Sequence, residues 1–397
     1  KEDSTLIIDP LYNQEGLIKA YQVKAKAIEK MLKETKPDFV LFSFIGNISQ
    51  LLIAQVAKKM GIKTLSIEFC KIGNRIDLTA DHFTITGLKE ETEKIKNGGE
   101  QDLYFQEGKK LIENFKKTGS LKLDYIEEYK KILAEKKAAP LTKKIWGSTK
   151  YFFLHWKNYF KYKNIFIYHD ATRDPFRFYY QKIRRILRQW RGLNDLYSLP
   201  NYQEDYVFYP LHYEPEISIQ VQSPFYFDQV SLLRYISRSV PLHFKIYVKD
   251  HPQTPFNRPR SYFKEILKLP NVKLIDHRTS SFELIKNTKI VLTISGTAGF
   301  EASLLGKPVI TFGGVFYNIL SGVTRIHEIE KLPDIVNNLL KNFKPDQKET
   351  VRLVGTILKD SIAMDFSYLR SEMNIEKLKN SNNIKQFCDL IMRKLKQ

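Results

Sequence analysis

The chain has 397 residues, 43% hydrophobic and 13% aromatic, enough to bury two cores of moderate size and too much apolar content for a disordered polymer. Lys and Arg number 64 against 44 Asp and Glu, a formal charge of +20 that favours anionic partners: phosphates, nucleic acid or an acidic membrane face. Two widely separated cysteines, Cys70 and Cys388, without CxxC or His-rich spacing, argue against a disulfide framework or a zinc site and suit a reducing cytoplasm.

The chain starts at Lys1 rather than at a methionine, and no signal-peptide pattern is recognisable. In the first part helix and strand alternate. "GLIKAYQVKAKAIEKMLKETKPD" (16–38) has helical spacing and stops at Pro37, "FVLFSF" (39–44) reads as a buried strand, "SQLLIAQVAKKMG" (49–61) as a helix closed by Gly61, and "IKTLSIEF" (62–69) as the next strand. That order predicts a βαβ unit and a parallel sheet with helices on both faces. Residues 39–57 carry no charge and imitate a membrane span, but Gly46, Asn47, Ser49 and Gln50 break them where a strand hands over to a helix.

Residues 90–137 are charged and helix-prone, consistent with surface helices. Residues 150–191, "KYFFLHWKNYFKYKNIFIYHDATRDPFRFYYQKIRRILRQWR", interleave aromatics with Lys and Arg. Either a solvated basic face on a core helix or contact with the headgroup layer of an anionic membrane explains such a mixture. Single-stranded nucleic acid uses the same ingredients, yet no RNP, KH or zinc-finger signature accompanies them.

From residue 206 the alternation resumes: strands at 206–210, 242–249, 271–275, 289–294 and 308–312, with helices at 227–239, 260–269, 280–287 and 297–306 between them. Two amphipathic C-terminal helices, 348–364 and 382–397, are expected to cross back onto the first half. The fold class predicted is α/β, with two Rossmann-like domains. Residues 1–200 form the first, with its aromatic and basic segment at 150–191; residues 201–345 form the second; and residues 346–397 are returning helices.

Three blocks carry candidate chemistry. In "KIVLTISGTAGFEASLLGKPVITFGG" (289–314) a strand ends in Ser295, Gly296 and Thr297 and a helix begins. Small residues let backbone approach a ligand, and a helix N-terminus favours phosphate. Glu301, one turn in, is placed to accept from ribose hydroxyls. The alternative is an ordinary helix start capped by Thr297.

In "YVKDHPQTP" (247–255), Lys249, Asp250, His251 and Pro252 stand at the carboxyl end of another strand, and ligands of open α/β sheets bind outside those ends. His251 is placed to donate to a phosphate and Lys249 to neutralise it, with Pro252 fixing the loop. In "YVFYPLHYEPEIS" (206–218), His212, Glu214 and Glu216 are candidates for general base or nucleophile, Glu216 preferred; two prolines shaping a loop with exposed glutamates is the structural alternative.

Together these blocks resemble the capsule polysaccharide biosynthesis family of glycosyltransferases, which includes the bacterial Kdo transferases. The likeness is strongest over 206–317 and weaker in "KPDFVLFS" and "CKIGNRIDL" of the first half. It implies the GT-B architecture, two Rossmann-like domains facing across a cleft. It also implies a CMP-linked donor sugar held through His251, Pro252, Ser295, Gly296 and Thr297, with Glu301 on the ribose and the acid on Glu214 or Glu216. Such enzymes typically need no bound metal or cofactor beyond the nucleotide-sugar substrate.

The expectation is a cytoplasmic glycosyltransferase, peripheral on the inner face of the membrane, acting on a surface polysaccharide or glycolipid. A nucleotide-sugar epimerase or a cytidine-dependent polyol-phosphate transferase on the same fold is the alternative chemistry. A basic nucleic-acid-binding protein is the alternative of another class.

Overall fold

The computed structural model describes residues 14–81, 83–121, 146, 149, 152–154, 156–157, 159–161, 175–214, 219, 223–251, 257–364 and 375–397. Helix α1 (Gln14–Thr35) precedes strand β1 (Phe39–Phe42), helix α2 (Ile48–Lys59) and strand β2 (Lys63–Phe69). Asn47 starts α2 by accepting from the Gln50 N–H, and Gly61 just beyond its end takes a positive φ of 75°. The uncharged 39–57 stretch is therefore a strand and a short helix. Among the described residues no helix is long and apolar enough to cross a membrane.

The first sheet has four strands, β1-β2-β3-β10, with β3 at Arg75–Thr79 and β10 at Ile362–Ala363. Only β1 and β2 run parallel; β3 is antiparallel to both β2 and β10. The expected all-parallel first sheet is corrected to a mixed one. Residues 70–74, too few for a crossover helix, turn β2 straight back into β3. Helices α3 (Leu88–Gly98) and α4 (Leu103–Thr118) follow, Asp102 capping the second by accepting from the Tyr104 and Phe105 N–H groups. The rest of the helix-prone 90–137 region lies mostly outside the described residues. Helix α5 (Pro175–Arg191) belongs to the aromatic and basic segment.

The second sheet is built from β4 (Tyr206–Pro210), β5 (Lys245–Lys249), β6 (Val272–Ile275), β7 (Ile290–Thr293), β8 (Val309–Thr311) and β9 (Val323–Arg325). Helices α6 (Gln229–Ser239), α7 (Arg260–Ile266), α8 (Ser281–Asn287) and α9 (Thr297–Leu304) connect its first five strands, and α10 (Leu332–Asn342) follows the sixth. All six are parallel, in the order β6-β5-β4-β7-β8-β9. Such a sheet is covered on both faces, which is why β4 and β7 read as unbroken apolar runs with fully buried Val207, Phe208, Ile290 and Val291. Chain direction through the sheet reverses between β4 and β7, and a doubly wound sheet opens its crevice at that switch point.

Helix α11 (Gln347–Asp360) returns to pack on α3 and α4. After the short α12 (Ile375–Lys379), helix α13 (Asn382–Lys396) packs on β3 and β10. There Lys394, buried, pairs with Asp77 at 3.1 Å and donates to the Thr86 carbonyl at 2.6 Å. Burial pushes the Asp77 carboxyl up to about 6 against the pull of Lys394. One apolar cluster runs through both lobes, and Phe115 of α4 meets Phe282 of α8 edge-on.

Helices α4 and α11 cross with backbone nearly touching. A Cβ on Gly355 would lie 2.5 Å from the Tyr104 carbonyl oxygen, and one on Gly108 2.7 Å from that of Val351. Gly355→Ala is therefore expected to destabilise by about 1–3 kcal/mol, the range for overpacked cores, despite the better helix propensity of Ala. Denaturant titration checks this; an unchanged or raised midpoint contradicts the close crossing.

Candidate functional site

The carboxyl ends of β5, β4 and β7 lie side by side, and each delivers one of the three sequence blocks. After β4 the chain enters 211–214, after β5 it enters Asp250 and His251, and after β7 it runs through Ile294, Ser295 and Gly296 into α9. The sequence-predicted residues His251 and Ser295 therefore stand on one edge of one sheet, on strands flanking β4.

The β7–α9 loop is held by side chains from several elements. His212 Nε2 accepts from the Ile294 N–H at 3.1 Å and the Ser295 N–H at 3.4 Å, and lies 3.0 Å from Thr293 Oγ1. As an acceptor for amides Nε2 carries no proton, so the Thr293 hydroxyl donates to it and in turn accepts from the Gly296 N–H at 3.1 Å. The Tyr317 hydroxyl donates to the Gly296 carbonyl at 2.6 Å. Gly299 makes room for that phenol, since a Cβ there would sit 2.6 Å from its oxygen.

Gly296, not Thr297, is the N-cap of α9, and it has no side chain to cap with. The Gly299 N–H donates to the Gly296 carbonyl at 3.3 Å, and the Thr297 and Ala298 N–H groups have no side-chain cap from Gly296.

His212, expected as a catalytic candidate, lies beneath the loop rather than in water. It is buried, its Nε2 is engaged by the loop backbone, and its own N–H donates to Gln229 Oε1 at 2.8 Å.

Asp250 is the buried anchor of the β5 end, 1% exposed. Arg258, 7% exposed and missed by the sequence reading, pairs with Asp250 at 2.8 Å and with Glu214 at 3.1 Å, donates to the His212 carbonyl, and stacks over the Tyr262 ring at 5.1 Å. One guanidinium therefore ties the loop after β5 to the loop after β4. Burial raises the Asp250 carboxyl, with Arg258 opposing the rise. Glu214 also accepts from Gln229, so both its known partners are structural. Glu216 and Pro252 lie outside the described residues.

Lys249, expected to neutralise a phosphate, is buried at the end of β5. It is 4% exposed and donates to Ser281 Oγ at 2.6 Å, and burial pushes its ammonium down to about 8. Glu301 is half-buried, its carboxyl pushed up to about 7 by burial while Lys249 and Lys71 pull it down. Lys71 comes from the first lobe and donates to the Ser295 carbonyl at 3.2 Å. No local sequence pattern announces Arg258 or Lys71, because each finds its partners through the fold.

A family model described as capsule polysaccharide biosynthesis protein matches residues 125–334. Protein FixF of Sinorhizobium fredii is 29% identical over 152 residues, 38% of this chain and 36% of that protein. The capsule polysaccharide modification protein LipA of Neisseria meningitidis serogroup A is 32% identical over 72 residues, 18% of this chain and 10% of LipA. The chain thus spans only about a third and a tenth of these relatives. Among solved structures, the beta Kdo 2,4 transferase of Thermosulfurimonas dismutans KpsC aligns with a TM-score of 0.39 at 12% identity, covering 79% of this chain and 78% of that one.

Removing Arg258 would leave Asp250 buried and unpaired. Arg258→Met is expected to cost about 3–5 kcal/mol at pH 7. A carboxyl whose folded pKa is raised gives stability below its unfolded pKa and loses it as pH climbs to the folded value, so the deficit should shrink between pH 7 and pH 5. Urea titrations at the two pH values check this; a loss under 1 kcal/mol, or one that grows on acidification, contradicts it.

Proposed function

The chain belongs to the capsule polysaccharide biosynthesis protein family, and we propose that it is a glycosyltransferase moving a sugar from a nucleotide donor, CMP-Kdo or a similar one, to a surface polysaccharide or glycolipid. The observation that carries the reading is the uncapped start of α9, set at the switch point of a six-stranded parallel sheet with half-buried His251 two strands away. On this reading residues 1–200 form the acceptor side, 201–345 the donor side, and 346–397 the helices that return.

The donor phosphate sits on the first-turn N–H groups of Thr297 and Ala298, with His251 donating from the end of β5, two strands away, and Glu301 accepting from the ribose. The acceptor hydroxyl attacks the anomeric carbon and gives its proton to a carboxylate, for which Glu216 is the preferred candidate because Glu214 is held by Arg258 and Gln229. The bond from the anomeric carbon to the phosphate oxygen breaks, and the electron pair stays on the phosphate. On this reading the helix-start N–H groups and His251 stabilise the charge that grows on that oxygen.

Helix α5 supports a membrane-borne acceptor. Phe176, Tyr180, Leu187 and Trp190 recur along one helical face and are all exposed, Trp190 at 85%. Arg184, Arg185 and Arg191 share the helix, and Phe153, Leu154, Trp156 and Phe160 are also exposed. Rings that enter a headgroup layer beside cations that meet anionic lipid fit peripheral docking on an acidic leaflet.

Incubation with a panel of CMP- and UDP-sugars and an acceptor glycan should release nucleotide, and His251→Ala should lower kcat/KM about 10²–10³-fold, as for loss of an oxyanion donor. No release from any donor contradicts the reading.

In flotation assays the protein should bind vesicles containing phosphatidylglycerol and not purely zwitterionic ones. Phe176→Ser with Trp190→Ser should weaken that binding at least about tenfold, since each buried ring contributes roughly 1.5–3 kcal/mol. Unchanged binding rules out α5 as the docking element.

A further inference from the structure

Lys71 stands in the short turn between β2 and β3 with φ 61°. Among the described residues only Lys36 shares a positive φ outside glycine, and Lys36 sits just past the end of α1, where such a conformation is common. L side chains adopt this backbone uncommonly, mostly in turns.

What it reaches lies on the other lobe. Its Nζ donates to the Ser295 carbonyl at 3.2 Å and stands 5.4 Å from the Tyr317 ring centre and 5.9 Å from that of Phe316. Its charge acts on carboxylates of both lobes, Glu68 on its own and Glu301 across. The ammonium is therefore parked beside the loop whose next residues, Gly296 and Thr297, begin α9.

A neutral carbonyl is a weaker partner for an ammonium than an anionic phosphate oxygen, because charge-assisted hydrogen bonds are roughly twice as strong as neutral ones. A phosphate bound at the start of α9 would outcompete the Ser295 carbonyl for Lys71.

We propose that Lys71 is the ligand the first lobe contributes to the donor phosphate, so that the leaving phosphate meets a donor group from each lobe. This rests on the glycosyltransferase reading, and it deepens that reading by making the nucleotide site incomplete without the first lobe. Among the described residues assigned to it, Lys71 alone has that origin: Ser295, Thr297, His251 and Glu301 all come from the second lobe.

Isothermal titration of the wild type, Lys71→Met and Lys71→Arg with CMP and cytidine, and with UDP and uridine, tests this directly. The wild type should prefer one nucleotide over its nucleoside by at least about tenfold. Lys71→Met should lose about tenfold or more of its affinity for that nucleotide and less than about twofold for the nucleoside, while Lys71→Arg keeps most of both. Lys71→Gln carries the same comparison should the Met variant fail to fold.

Wild-type binding with no loss in Lys71→Met overturns the Lys71 assignment and leaves the enzyme reading standing. Equal losses for nucleotide and nucleoside also overturn it, showing a strut between lobes instead. Failure of the wild type to bind any of the four ligands overturns both.

Discussion

Among the side chains that hold the β7–α9 loop, a buried imidazole makes the link to the neighbouring strand ends. His212 accepts from two successive amides of that loop, and its own carbonyl accepts from Arg258, which is ion-paired to Asp250 after β5. The ends of three adjacent strands are thereby locked to one another through polar groups removed from water. Each bond is worth little net, but each buried partner left alone costs its full desolvation, so the set holds or fails as a unit. The start of α9 is presented to the crevice at a fixed angle as a result.

Charge in the crevice is arranged under the same constraint. Lys249 and Lys71 face Glu301 from the two lobes, and burial drives the Lys249 ammonium and the Glu301 carboxyl toward neutrality in opposite directions. Asp250 is buried against Arg258, while its neighbour His251 stays half-buried at the end of β5.

The second sheet was readable because buried parallel strands must be uninterrupted apolar runs, and 206–210 and 290–294 are. The Ser-Gly-Thr turn was readable because backbone approach demands small residues. Strand β9 was not read: Val323–Arg325 is too short to show a period. Nor was the reversal at β3, since 70–74 forms a turn whose meaning depends on which strand comes next. Arg258 and Lys71 act on residues reached only through the fold, Lys71 on a partner 224 positions away. His212 was noticed for its type, but local sequence does not reveal that two amides 82 and 83 positions on engage its nitrogen.

The account stands or falls on where a nucleotide settles. A crystal structure with bound CMP or UDP should show the phosphate within hydrogen-bond distance of the Thr297 and Ala298 amides and of the His251 ring. Density for the nucleotide on the opposite end of the second sheet, or on the first sheet, would contradict it.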